Sequence, residues 1–277
     1  MKFSLVMATL GRGEPVATFL RSLEAQGDVD VELVIADQNA DDRVARVLAG
    51  YENGRRLRHL RCSPGLSRAR NLGLAQVEGD VVAFPDDDCE YPAGLLSRIQ
   101  AFFEGNGDYG GVAVRVASRQ GQAIGRLLPR AGEVTPRTVW RQATAAGLFL
   151  RRDLITAIGG FDETLGLGAG TPWGSAEDID YPLRALEAGY RLYYEPAAVV
   201  WHPDVRLTRS GDLGSRGYRY GAGWGRVRRK HKSEWWVVVY HLLRPIGGAL
   251  LALLTGDIVI LRFRLALFAG RLRGWLA

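Results

Sequence analysis

Val81-Val82-Ala83-Phe84-Pro85-Asp86-Asp87-Asp88-Cys89 decides how this chain is read, because an apolar run delivers three consecutive carboxylates. Neighbouring carboxylates repel one another, and that repulsion is tolerated most easily around a cation. A strand that carries acidic side chains at its C-terminal end, in an open α/β sheet, places them where such sheets bind ligands. Hard oxygen donors at that point suit Mg²⁺ or Mn²⁺. A solvated acidic turn is the plain alternative, and the surrounding chain argues against it.

Outward from this stretch, strand-like runs at residues 3–8, 31–36, 57–61 and 80–84 alternate with helix-like runs at 15–26, 41–49 and 66–76. This βαβα rhythm predicts a mostly parallel sheet with helices on both faces, Rossmann-like in the loose sense. The apolar start, residues 3–10, reads as a buried first strand: it is short for a signal-peptide core and meets Gly11-Arg12-Gly13-Glu14-Pro15 without a small-residue cleavage site. No G-x-G-x-x-G and no Lys-Ser/Thr phosphate loop follows it, so neither a dinucleotide fingerprint nor a P-loop is supported.

Further strands are expected near 112–116, 147–150, 190–194 and 198–202. The glycine-rich stretch 159–170 suits a loop that closes over a ligand, though tight turns alone use glycine in the same way. Ser175-Ala176-Glu177-Asp178 reads as a capping box for a helix that stops at Gly189. Pro182 has no N–H for the carbonyl of Asp178, so the first turn should kink or start later.

The formal charge of +6 over 277 residues hides an asymmetry. Residues 1–205 hold 22 basic and 27 acidic side chains, and the remaining 72 hold 14 and 3. The expected division is therefore a globular domain at 1–204 and a basic, aromatic tail at 205–277, which holds four of the seven tryptophans. Such a tail points to anionic phospholipid or to nucleic acid. Two cysteines, Cys62 and Cys89, offer no disulfide framework, which fits a reducing, cytoplasmic setting. Arg244 and Asp257 interrupt the apolar stretches 235–243 and 245–256, so no uncharged run approaches the roughly 20 residues of a spanning helix. An interfacial helix or shallow hairpin is expected, with Trp235, Trp236, Arg262, Arg264, Arg271, Arg273 and Trp275 at the headgroup layer.

Read in order, Ala36-Asp37-Gln38-Asn39, Gly65-Leu66-Ser67-Arg68-Ala69-Arg70-Asn71, Phe84-Pro85-Asp86-Asp87-Asp88, Glu177-Asp178-Ile179-Asp180 and Val200-Trp201-His202 resemble the GT-A glycosyltransferases, specifically the large inverting family 2. The resemblance covers roughly residues 2–203 and implies transfer from a nucleotide-diphosphate sugar with Mg²⁺ or Mn²⁺. It also implies roles: Asp86, Asp88 and His202 for the metal, and Asp37, Arg70, Asp86 and Asp87 for the donor and its nucleotide. Asp178 would be the general base, Glu177 its orienting neighbour and Trp173 a platform for a sugar face. One base without a covalent nucleophile implies inversion at the anomeric carbon. Gln38 departs from members that carry a second Asp there, which leaves the base of the donor open.

Glycosyl transfer expels a diphosphate and strips a proton from the acceptor hydroxyl, and these residue types answer both needs. With the basic tail, the expected partners are a nucleotide-diphospho-sugar donor, a glycan or polyprenyl-diphosphate-linked acceptor and the anionic cytoplasmic face of the membrane. No nucleic acid is expected, because the apolar stretch after Lys232 serves a membrane better. Two rivals remain at this stage. A nucleotidyltransferase would use similar aspartates but a basic, glycine-rich loop after the first strand, of which Leu10-Gly11-Arg12-Gly13 is a faint echo; a nucleic-acid binder would use Arg226–Lys232 with Tyr218, Tyr220 and Trp224.

Overall fold

A computed structural model of the chain describes residues 1–51, 56–122, 127–203 and 212–277. Its described residues fall into two compact units: residues 1–64, 68–161 and 181–204 form the first, and 65–67, 162–180 and 205–277 form the second. The expected boundary between residues 204 and 205 lies outside the described residues.

The first unit is a mixed α/β layer structure. Its strands are β1 (Phe3–Thr9), β2 (Val31–Asp37), β3 (Arg56–Arg61), β4 (Val81–Ala83), β5 (Tyr109–Ala117), β6 (Gly132–Glu133), β7 (Leu148–Arg151) and β8 (Arg191–Trp201). They form one sheet in the order β3-β2-β1-β4-β7-β5-β8-β6. The half around β1 is parallel, with Phe3 opposite Val31 on one side and Val81 on the other. β7 runs antiparallel to both β4 and β5, and β5 pairs in parallel with β8.

Both faces of the central strands are covered, which is why β2 reads as a continuous apolar run broken only by Glu32. On one face Phe3, Leu5 and Met7 of β1 pack in a core with α1 (Glu14–Glu24) and α4 (Leu95–Gly105), whose buried stripes are Val16, Phe19, Leu20, Leu23 and Leu95, Leu96, Ile99, Phe103. Those spacings are the three- and four-residue steps of an amphipathic helix. On the other face Gly73 of α3 (Leu66–Leu74) comes so close to Val6 that an added Cβ would sit 2.4 Å from its Cγ1. The short helices α2 (Arg43–Ala49) and α5 (Arg152–Ile158) and part of α6 (Glu177–Glu187) complete the unit's elements. The sheet and its flanking helices are those expected. Sequence reading passed over α4, α5 and β6, and it split β8 in two; the real strand runs through, with an irregular register between Glu195 and Val199 around Pro196.

In the second unit three helices follow one another: α7 (Leu213–Lys230), α8 (Trp235–Leu254) and α9 (Ile258–Leu276). α7 and α9 pack with their backbones in contact. A Cβ on Gly221 would lie 2.4 Å from the Leu267 carbonyl, one on Gly270 2.1 Å from that of Tyr218, and one on Gly274 2.1 Å from that of Ala222. α8 corrects the expectation of an interrupted apolar stretch. It is one 20-residue helix that carries Arg244 and Pro245 within it, and it is long and apolar enough, by length and composition, to cross a membrane. A single arginine does not end a helix, because its aliphatic stem packs as an apolar group does.

Candidate active site

The acidic triplet lies where the sheet predicts. β4 ends at Ala83, but pairing to β1 resumes in a single bridge between Asp86 and Ala8, so Asp86 leaves the sheet at its carboxyl edge. A second bridge, between Glu90 and Trp201, ties the chain after the triplet to the end of β8, through Glu90 N–H to the Trp201 carbonyl at 2.8 Å and the reverse bond at 3.0 Å. That bridge brings His202 to the aspartates across more than a hundred residues of sequence.

His202 Nε2 sits 3.2 Å from Asp88 Oδ1 and 3.9 Å from Asp86 Oδ2. Its Nδ1 is 2.8 Å from the Pro203 carbonyl, which can only accept, so Nδ1 carries a proton. With Nδ1 engaged there, Nε2 faces the two carboxylates. These three groups fit a divalent ion that prefers oxygen and tolerates imidazole, as Mn²⁺ does. Cys89 also converges, with Asp86 and His202, within 4.8 Å. Burial first, and then the charges of Asp86 and Asp88, push its thiol well above the usual range, so it stands there as a neutral thiol.

Asp87 turns away from this centre. Its carboxylate is buried, accepts from Thr9 Oγ1 at 2.7 Å and pairs with Arg12 at 2.7 Å. Burial raises its pKa, against the pull of Thr9 and Arg12. Arg12 also pairs with Asp88, so one guanidinium braces two of the three carboxylates. Arg70, 3% exposed, donates to Asp86 Oδ1 at 3.1 Å and lies over the Phe161 ring.

Asp37 ends β2 fully buried. Its carboxylate meets Asn39 N–H at 2.9 Å, Asn39 Nδ2 at 2.7 Å and His59 Nε2 at 2.8 Å. Burial drives its pKa up, yet these bonds and the nearby Arg61 more than offset it and hold the group below the ordinary carboxylate range. Thr9, Arg12, His59 and Cys89 were not singled out from sequence as site residues; only Arg12 left a trace, in the basic turn after the first strand.

The remaining candidates belong to the second unit. Glu177 is buried, and its carboxylate lies against Gly166, where an added Cβ would come 3.2 Å from Oε2. Gly166 has φ +95°, so glycine is required there on backbone grounds as well. Ala176 holds φ +69° immediately before Glu177 and Asp178, a strained setting for a residue with a Cβ. Its carbonyl takes the N–H groups of Ile179 and Asp180, while the Ser175 hydroxyl donates to the Tyr220 carbonyl of α7. Asp178 is half-buried. Asp180, 1% exposed, pairs with Lys230 at the end of α7 and with His231 just after it, each at 2.8 Å. Trp173 is half-buried, with Arg226 of α7 6.0 Å from its ring centre.

A sheet that gathers carboxylates at its carboxyl edge, beside a buried arginine and a strand-end histidine, has the arrangement of the GT-A class of glycosyltransferase folds. The family model for glycosyl transferase family 2 matches residues 4–159, more than half of the chain, and the chain belongs to that family. It is 32% identical over 206 residues to the "Pre-mycofactocin glycosyltransferase" of Mycobacterium tuberculosis, a match that takes in 69% of this chain. The chain spans only 39% of that relative's length. Over 102 residues, 35% of this chain and 33% of the relative, it is 28% identical to the "GalNAc(5)-diNAcBac-PP-undecaprenol beta-1,3-glucosyltransferase" of Campylobacter jejuni. Among solved structures, the mannosyltransferase PcManGT of Pyrobaculum calidifontis, solved with GDP-Man and Mn²⁺, superposes with a TM-score of 0.65 over 99% of this chain and 86% of its own, at 15% identity.

Proposed function

We propose that the chain transfers a sugar from a nucleotide-diphosphate donor to a glycan or polyprenyl-diphosphate-linked acceptor at the cytoplasmic face of the membrane, with inversion. The convergence of Asp86, Asp88 and His202 Nε2 carries this reading. Those residues would hold Mg²⁺ or Mn²⁺, and the relative solved with GDP-Man and Mn²⁺ supports the assignment. When bound, the ion neutralises charge that develops on the leaving diphosphate. Arg70 steadies Asp86 and offers positive charge to the same diphosphate. Asp37 arranges Asn39 and His59 for the base or ribose, and Asp87 contributes by placing Arg12.

Asp178 takes the proton of the acceptor hydroxyl, Glu177 orients it, and Trp173 gives the acceptor a face to stack on. The lipid-linked acceptor is supported by the tail at 205–277 and by the undecaprenol-linked substrate named for the Campylobacter relative. Nucleic acid is no part of the reading: within Arg226–Lys232, Arg228 is buried and Arg226 faces Trp173. The test is Asp178→Asn, with products followed by the NMR coupling of the anomeric proton. The wild type should invert configuration, and the variant should bind donor normally while transfer falls by about 10²- to 10⁴-fold. Retention of configuration, or transfer unchanged in the variant, would remove Asp178 from the mechanism.

A further inference from the structure

Within the second unit lies a cavity of about 320 Å³, in the range of small-molecule sites. One wall is the start of α7, where Asp212, Arg216, Arg219 and Tyr220 recur at three- and four-residue steps and so share a face, with Leu213 beside them. The other wall is Leu167 and Gly174, from the chain that leads into α6. The walls meet at Gly174, where an added Cβ would lie 3.0 Å from Arg219 Cβ. Ser175 then fixes the approach: its hydroxyl donates to the Tyr220 carbonyl at 3.1 Å, and its own carbonyl lies where a Cβ on Gly223 would strike it. Asp178 follows three residues later, so one short segment carries both a wall of the cavity and the candidate base.

The lining combines apolar surface with a surplus of positive charge. Asp212 caps α7 by accepting from the N–H of Ser215 at 3.0 Å and from its hydroxyl, and these bonds lower its pKa, so it stands as a carboxylate at neutral pH. Two guanidiniums against this one carboxylate leave the lining positive. Arg216 lies over the Tyr220 ring, 5.3 Å from its centre, which restricts the plane of its fork. Tyr220 is 39% exposed and Leu167 53%, so large apolar groups stand open beside the charges. Such surface suits the C–H face of a sugar ring, and forked N–H donors suit the paired oxygens of a phosphate or carboxylate.

We propose that this cavity receives an anionic group of the acceptor, bound by the forks of Arg216 and Arg219 while Asp178 serves the acceptor hydroxyl. The site rests on the transfer reading above and deepens it by giving the acceptor a charge. That charge has two sources with shared chemistry, a phosphate on the acceptor sugar or the carboxylate of an acidic sugar.

The test is calorimetric titration of the full chain, in EDTA and without donor, with glucose 1-phosphate, glucuronic acid and glucose as probes. Wild type is compared with Arg216→Gln/Arg219→Gln and, as a milder change at an exposed position, with Arg219→Gln. Wild type should bind one or both anionic sugars about ten- to hundredfold more tightly than glucose, as charge-assisted hydrogen bonds supply. The double variant should lose that preference, and the single variant should keep part of it. Preference for glucose 1-phosphate alone assigns phosphate, preference for glucuronic acid alone assigns carboxylate, and preference for both assigns an anion of either kind. Equal binding of the three sugars by wild type, or a preference that survives the double variant, overturns the site. Release of nucleoside diphosphate from nucleotide sugars by wild type, measured alongside, separates the two readings. Where a donor is cleaved, loss of the site leaves the transfer reading standing; where none is, the transfer reading falls and the acceptor assignment with it.

Discussion

Asp162 shows how a single side chain in the glycine-rich loop depends on a distant helix. Lys230 Nζ lies 2.7 Å from its Oδ2, and Thr164 donates to its Oδ1 through both N–H and hydroxyl. Burial alone would raise its pKa, but these bonds win and lower it from an ordinary 3.8 to about 2. A carboxylate with a depressed folded-state pKa adds stability that is complete above 3.8 and lost as the pH falls through about 2. Acid unfolding should accordingly be steeper across that window for wild type than for Lys230→Gln; coincident acid limbs would show that the pair contributes nothing. At this scale the triplet was legible because its charges are consecutive in the chain. Thr9 and Arg12 were not, since the carboxylates they serve lie 75 or more residues away. His202 was legible only through a family pattern, because the Glu90–Trp201 bridge that places it is a product of folding.

The close contact of α7 and α9 governs the element scale. Glycine recurs every fourth residue at 217, 221 and 225 on one helix and at 270 and 274 on the other, so both backbones approach where no side chain fits. Gly274→Ala should cost roughly 1–3 kcal/mol in chemical unfolding, because the new methyl overpacks against the Ala222 carbonyl. Gly247→Ala in α8, with nothing within 4 Å of the added Cβ, should instead be neutral or gain up to about 1 kcal/mol from helix propensity. Equal effects would mean that the contact is not formed. The glycine spacing was visible in the sequence, yet glycine there first reads as a weak helix former or a turn. The apolar periods of β1, β2 and α1 carried their own identity, as did the strand-then-helix rhythm. α4 escaped because its stripe follows directly on the conspicuous triplet and the Tyr91-Pro92 turn.

For the whole molecule, the position of the tail helices bears on the candidate catalytic residues. The first turn of α6, which carries Glu177, Asp178 and Asp180, belongs to the same compact unit as α7, α8 and α9, and Lys230 and His231 hold the buried Asp180. His231→Gln in the full chain should therefore leave vesicle flotation unchanged while transfer to a water-soluble acceptor falls by roughly tenfold, as a displaced catalytic group predicts. Transfer at the wild-type rate would separate the tail from the chemistry.

The central claim is that Asp86, Asp88 and His202 serve a metal-diphosphate leaving group. Its most direct test is release of nucleoside diphosphate from a panel of UDP-, GDP- and dTDP-sugars, with Mn²⁺ or with EDTA, by wild type and Asp88→Ala. The account predicts release from one donor that needs the metal and disappears in the variant. Release that survives EDTA and the variant alike, or diphosphate formed only from nucleoside triphosphates, would contradict it.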